Sequence, residues 1–203
     1  MLEFIESDHI YLYEGVIIPS VSEILRFIFP DKYADVPEFI LTGAAEHGTL
    51  VHELTERLDL GEKLEDLGEI NYIVKSSLEQ HLKLVKKHKI KPIEMEQRVH
   101  YQGLYAGTFD LIADVDGKRS LVDRKTTYEL DKEYISWQLS FYELAYGEKF
   151  DKFYVEWLPK KELGQLIEIE RIPKEKLTEM LEKYFKEKEK EWKKNSKDLK
   201  MKK

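Results

Sequence analysis

The alternation of apolar and polar positions divides the chain into strand-like and helix-like stretches. His9 to Tyr13 and Val16 to Ile18 flank Glu14-Gly15 and read as a short hairpin. Pro19-Ser20-Val21-Ser22-Glu23 follows as a capping box that opens a helix through about Phe29. Pro30 to Leu41 carries no period and reads as irregular. Helical spacing runs from about Ala44 to Leu60, breaks at Gly61, and returns from about Asn71 to His88. Strand-like runs then occupy Ile93–Tyr101, Tyr105–Val115 and Arg119–Lys125. A helix is predicted over Lys132–Tyr146, strands over Lys152–Leu158 and Gln165–Glu170, and a long helix after Pro173. Strands in the middle with helices on either side predict an α/β fold, a mixed sheet flanked by helices on both faces.

The strongest local signal is the segment from Tyr105 to Thr126. Asp116-Gly117 is a dipeptide favoured in two-residue type I′ turns, and apolar runs flank it. With those two residues as the loop, Asp110 lies opposite Asp123 and Thr108 opposite Lys125, while Asp123 and Lys125 share a face. Directly opposed Cβ atoms are roughly 4.5–5.5 Å apart, so the two carboxylates repel unless something positive lies between them. A hard divalent cation such as magnesium takes oxygen ligands and would fill that role. An acidic residue two places before Lys occurs at Asp116/Lys118, Asp123/Lys125, Glu191/Lys193 and Asp198/Lys200, and the turn and the lysine-rich tail account for the others. Only Asp123/Lys125 combines a strand with an acidic residue opposite.

Composition narrows the chemistry. The 203 residues, 42% of them hydrophobic, suffice for one sizeable core, so one domain is expected over 1–203, with an N-terminal hairpin and helix (about 8–30) and a charged C-terminal helix (about 173–203). No apolar run reaches membrane-spanning length and no basic-then-apolar leader opens the chain, which predicts a soluble, cytoplasmic protein without a membrane partner. The chain has no cysteine, which removes disulfides, thiolate zinc sites and iron–sulfur clusters and leaves His, Asp, Glu and backbone oxygens as metal ligands. The net charge of −7 divides unevenly: from Lys174 onward 12 Lys face 7 acidic residues, giving +5 there and −12 elsewhere. An acidic body repels nucleic acid at long range and attracts cations. The tail reads as a solvated charged helix before it reads as a nucleic-acid arm.

Three further positions stand out. His52 lies about 145° around its helix from the apolar arc of Leu50, Val51, Leu54 and Leu58, which argues against a core histidine and leaves an idle surface one as the bland alternative. Glu94 and Glu96 are expected on one face of the strand before the hairpin, with Glu96 better placed to join a carboxylate cluster. Gln138 shares the inward helix face with Tyr134, Ile135, Phe141, Tyr142 and Ala145, where a partnerless amide costs roughly 1–3 kcal/mol. A structural hydrogen bond or a substrate phosphate would satisfy it.

In order along the chain, Pro19-Ser20-Val21-Ser22-Glu23-Ile24-Leu25, Gly48-Thr49-Leu50-Val51-His52, Glu96, Gly107-Thr108-Phe109-Asp110, Val122-Asp123-Arg124-Lys125-Thr126 and Gln138-Leu139-Ser140-Phe141-Tyr142 resemble the RecB-type branch of the PD-(D/E)xK nuclease superfamily. Within it they look most like phage exonucleases and the mitochondrial genome maintenance exonuclease. The resemblance implies a restriction-endonuclease-like core and metal-dependent hydrolysis of DNA to 5′-phosphates, with two Mg²⁺ or Mn²⁺ ions. By position, His52, Asp110, Asp123 and the Arg124 backbone carbonyl would ligate metal, and Lys125 would orient and activate water. Glu96 would be an accessory acid, and Gln138, Tyr142, Thr126 and Ser20 would meet the substrate. Arg124 stands where the family usually has an aromatic or apolar residue, and the four cysteines of its iron–sulfur members are absent. The expected function is exonuclease action on DNA in phage or bacterial recombination, replication or repair, with a recombination or replication protein as a further partner. A structure-specific endonuclease and a non-catalytic DNA-binding scaffold are the alternatives. Tyr11, Tyr13, Phe29, Tyr33 and Phe39 are candidates to stack on unpaired bases, with Tyr11 and Phe29 better explained as core.

Overall fold

The structure, a computed structural model, describes residues 1–201, and the side chains of residues 1–193. Strands β1 (Leu2–Ile5), β2 (Ile10–Tyr13) and β3 (Val16–Ile18) form a small antiparallel sheet, followed by helix α1 (Val21–Ile28). Helices α2 (Glu38–Asp59) and α3 (Tyr72–His88) come next, then strands β4 (Lys91–Tyr101), β5 (Tyr105–Val115) and β6 (Lys118–Lys125). Helix α4 (Lys132–Tyr146), strands β7 (Lys152–Trp157) and β8 (Gln165–Ile169), and helix α5 (Lys174–Met201) complete the chain, whose residues 202–203 lie outside the described part. The larger sheet has the order β4-β5-β6-β7-β8. Its neighbours are antiparallel except β6 and β7, which are parallel because α4 serves as the crossover between them.

Both faces of this mixed sheet are covered. Leu177 and Leu181 of α5 join Ile24 and Leu25 of α1 and Ile135, Leu139 and Phe141 of α4 against Ile112, Leu121, Phe153 and Val155. On the opposite face, α2 and α3 pack through Val51, Leu54, Val74 and Leu78, with Leu111, Val122 and Leu158 beneath them. The small sheet is attached by Tyr11 and Ile18 packing on Ala106, by the Ser20–Ala106 bridge, and by a 2.8 Å hydrogen bond between the Tyr11 and Thr108 hydroxyls.

Turn and cap chemistry decided most element boundaries. Asp116 and Gly117 have φ of 50° and 84°, both positive as a type I′ turn requires, and Val115 pairs with Lys118 as expected. The Ser20 hydroxyl accepts from the Glu23 amide while the Glu23 carboxylate accepts from the Ser20 amide, the expected capping box. Asn71 and Asp131 cap α3 and α4 in the same manner, one bond each.

Two elements depart from the sequence reading. Helix α2 begins at Glu38, inside the segment expected to be irregular, because its first turns bury almost nothing and so carry no apolar stripe: Phe39 and Ile40 are exposed. Leu50, assigned to its apolar arc, is exposed as well, and the buried set is Val51, Leu54, Thr55 and Leu58. Strand β1 was not expected; only its pairing with β2 makes it a strand. The early part of α5 packs through Leu177, Leu181 and Tyr184, and exposed ion pairs such as Lys190–Glu187 and Lys193–Glu189 follow; the rest of the lysine-rich tail lies beyond the residues whose side chains are described.

Candidate functional site

The site forms where β5 and β6 part. Their ladder runs from Val115↔Lys118 to Leu111↔Val122 and ends one pair before Asp110 and Asp123. Past that point the Asp110 carboxylate replaces the ladder: its Oδ2 accepts from the Arg124 amide at 2.7 Å. Asp110 thereby turns toward α2, where His52 Nδ1 lies 3.7 Å from the same oxygen.

Glu96 completes the group, by a route that strand alternation did not predict. Its φ is +48°, a left-handed conformation uncommon for a residue with a side chain, and it drops out of the pairing with β5 between Met95↔Leu111 and Gln97↔Phe109. Glu94 and Glu96 are therefore on opposite faces: Glu94 accepts from the Tyr146 hydroxyl of α4 at 2.9 Å, whereas Glu96 joins His52 and Asp110 beneath α2. One ligand atom from each of His52, Glu96 and Asp110 lies within 4.8 Å of the other two. Glu96 keeps an exposed side, yet partial loss of hydration, reinforced by Asp110 and Glu56, raises its carboxyl above the ordinary range. A cation would relieve that repulsion.

Asp123 and Lys125 sit beside this group. Asp123 is buried, and Lys125 Nζ lies 2.8 Å from its Oδ1 and 2.7 Å from its Oδ2, although Oδ2 has no partner with hydrogen-bond geometry. Burial raises the Asp123 carboxyl above its ordinary range, Asp110 adds to that, and Lys125 opposes it. For Lys125, burial favours the neutral amine, but Asp123 and Asp110 outweigh it and hold the ammonium. Lys125 is thus a hydrogen-bond donor at neutral pH and not a base.

The Arg124 carbonyl has a different task from the one expected. It is 3.1 Å from His52 Nε2, and a carbonyl can only accept, so the imidazole carries its proton on Nε2 and offers the Nδ1 lone pair to the Asp110–Glu96 side. A histidine ligand usually donates its second ring N–H to such an oxygen, which fixes the tautomer and aims the ring. The carbonyl therefore orients His52 through one of its two lone pairs. One histidine nitrogen and the carboxylate oxygens of Glu96 and Asp110 could hold a divalent cation, and Asp123 lies beside that group of three, not within it.

On the α4 side, Gln138 Nε2 donates to the Tyr142 hydroxyl at 3.4 Å, while its Oε1 is buried without a partner. The Tyr142 ring lies so close to β5 that a Cβ on Gly107 would sit 2.6 Å from it. Thr126 lies against α2, with its hydroxyl 3.4 Å from where a Gly48 Cβ would stand. Ser20 is 4% exposed with its hydroxyl in the cap of α1, and Tyr142 is 6% exposed, so neither of these two expected substrate contacts lies on the open surface. Among the aromatics, Tyr11 is buried and Phe29 packs on Tyr134, Tyr13 stacks on His100, and Tyr33 and Phe39 are exposed at 49% and 77%.

The sequence reading missed Asp59, His81 and Glu156, which surround the Arg124 side chain on the other face of β6. A charge inside the apolar run Lys152–Leu158 was the available signal. A cleft of about 530 Å³ lies elsewhere, between the end of α4 and the start of α5, where Arg171 is already paired with Glu143. Among the described residues no helix is long and apolar enough to cross a membrane.

No family model matches the chain, and no curated protein matches it. Among solved structures it is similar to one described as the crystal structure of SSO0001, at 15% identity and a TM-score of 0.43, over 80% of this chain and 72% of that chain.

Proposed function

We propose that the protein is a metal-dependent deoxyribonuclease, an exonuclease that hydrolyses phosphodiester bonds of DNA to leave 5′-phosphates, and that it serves phage or bacterial recombination, replication or repair. The observation that carries this reading is the convergence of His52, Glu96 and Asp110, from a helix and two strands, beside the Asp123–Lys125 pair. His52, Glu96, Asp110 and Asp123 would hold Mg²⁺ or Mn²⁺. When bound, such ions neutralise charge developing on a scissile phosphate and acidify a water. Lys125, held as an ammonium, donates a hydrogen bond and so orients the attacking water or steadies the phosphate oxygens. The amide of Gln138 beside Tyr142 offers polar atoms to substrate from the α4 side. Exposed Tyr33 and Phe39 suit stacking on unpaired bases, a contact worth about 1–3 kcal/mol per base and indifferent to sequence. That gives an acidic protein a hold on DNA that does not depend on a basic surface.

The test is digestion of end-labelled single- and double-stranded linear DNA, beside a covalently closed circle, with magnesium or manganese. Linear DNA should be degraded to 5′-phosphate products and the circle spared, and Asp110→Asn and Asp123→Asn should each lose cleavage while remaining folded. Hydrolysis of neither substrate, or full activity in both variants, would sink the proposal. Cutting of the circle would replace the exonuclease with a structure-specific endonuclease.

A further inference from the structure

Behind the site, on the α3 side of β6, four charged side chains close a ring. Arg124 Nε donates to Glu156 Oε2 at 3.0 Å, and Arg124 Nη2 pairs with Asp59 Oδ2. His81 Nδ1 is hydrogen-bonded to Glu156 Oε1 at 2.7 Å, and its Nε2 lies 3.3 Å from Asp59 Oδ1 as a charge contact without hydrogen-bond geometry. Each carboxylate touches both cations, and all four side chains are at most 3% exposed. The ring draws on α2, α3, β6 and β7, so it ties both helices of that face to two strands of the sheet.

Arg124 belongs to the ring through its side chain and to the site through its backbone. Its amide donates to Asp110 Oδ2 at 2.7 Å and its carbonyl accepts from His52 Nε2 at 3.1 Å. These groups flank one Cα atom, so the direction of the side chain and the orientation of both peptide groups are not independent. We propose that the Asp59–His81–Arg124–Glu156 ring is a positioning device, which fixes the Arg124 peptide groups and through them the tautomer of His52 and the aim of Asp110. Stability alone does not account for such a ring, because well-packed apolar side chains of the same volume commonly stabilise a core as well as a buried ion network does. What apolar side chains cannot supply is a directional hold on Arg124. The inference rests on the proposed metal site only for its functional consequence. The coupling between ring and imidazole is a property of the protein alone.

The test therefore reads His52 directly. The ring nitrogen signals of His52 in metal-free protein report its tautomer by ¹⁵N NMR, and calorimetry with Mn²⁺ reports the affinity of the site. Two variants are compared with the natural sequence: the joint replacement Asp59→Leu, His81→Leu, Arg124→Met and Glu156→Leu, and the single replacement Glu156→Gln. The wild type should show one His52 tautomer, protonated on Nε2. The fourfold variant should stay folded, show mixed tautomers, and bind manganese about 10–100-fold more weakly, the usual loss when a partner of a ligand is removed. Glu156→Gln, which keeps the shape of the ring, should move the same signals and the same affinity in the same direction. Wild-type tautomer and manganese affinity in a folded fourfold variant would overturn the inference. If that variant does not fold, unchanged signals and affinity in Glu156→Gln overturn it equally. Should the wild type bind no manganese, the metal-site reading fails on its own and the ring is judged by the His52 signals.

Discussion

The two faces of β6 carry the same kinds of charged group and treat them in opposite ways. On the α3 side, Arg124 pairs with both Asp59 and Glu156, and His81 closes the ring by a hydrogen bond to Glu156 and a charge contact with Asp59 that leaves its buried Nε2 without hydrogen-bond geometry. On the other side, Asp123 and Lys125 form one pair that leaves a buried Asp123 oxygen without a hydrogen-bond partner, and at the strand end, beneath α2, Glu96 and Asp110 crowd each other near His52. Buried charge tolerates the first arrangement because every carboxylate has a cation on two sides. The second stays unrelieved in the protein alone, which is the condition of a group that waits for a ligand. Neither charge nor one orphaned atom by itself marks a site, since His81 Nε2 in the ring lacks a hydrogen-bond partner too; what differs is that Glu96 and Asp110 face each other without a cation between them.

The largest expected contrast comes from removing the cation of each face. Lys125→Ala should lower turnover by about 10²–10⁴-fold, the range for a positioned proton-handling or donor group, with manganese still bound. Full activity in a folded Lys125→Ala protein would remove the distinction between the faces. Arg124→Ala should instead lower stability by about 3–5 kcal/mol, because it leaves two buried carboxylates with only His81 between them. Chemical denaturation measures that loss, and a change under 1 kcal/mol would show the ring to be more solvated than its burial implies.

Gly107→Ala sharpens the comparison on the site face. The new methyl would meet the Tyr142 ring at 2.6 Å and a Val21 methyl at 3.0 Å, so β5 or Tyr142 must shift. Overpacking of this kind costs roughly 1–3 kcal/mol, and DNA affinity should fall with it if Tyr142 and Gln138 meet substrate. A stable variant with unaltered affinity would remove those two residues from the substrate set.

The smallest effect is a pH dependence that belongs to the ring. Burial opposes the charge on His81, but Glu156 and Asp59 outweigh it and raise the group from 6.5 to about 9. Its contribution to stability is thus complete below 6.5 and disappears as pH rises through 9. Glu156 moves the other way: burial is outweighed by His81 and Arg124, which lower it from 4.5 to about 2, so its contribution is present above 4.5 and lost as pH falls toward 2. The melting temperature should therefore decline between pH 6.5 and 9, by about 2–4 °C for each kcal/mol lost. A His81→Leu protein should show a flatter profile over that interval, and an identical decline would assign it to other groups.

Much of this was legible before any tertiary contact was known. The Asp116-Gly117 turn set the β5–β6 register, the capping box fixed the start of α1, and the spacing of apolar residues gave α4 its bounds, because each depends on neighbours a few residues away. His52 was correctly kept out of the apolar arc for the same reason, since helical angle is a local property. The free start of α2 was not legible, because an unburied helix leaves no apolar stripe.

The sequence by itself determined which residue types were available and, through turns, caps and periodicity, the strand and helix each would occupy. Tertiary structure alone decided their partners. Strand alternation could not anticipate the left-handed Glu96, which sends Glu94 and Glu96 to opposite faces. Nor could spacing reveal that Asp59, His81 and Glu156 would converge on Arg124, or that the Arg124 carbonyl would accept a hydrogen bond from His52 Nε2. The reason is physical: a backbone turn is set by the torsions of two residues, whereas a buried charge is satisfied by whichever groups the packing of distant helices brings within about 3 Å.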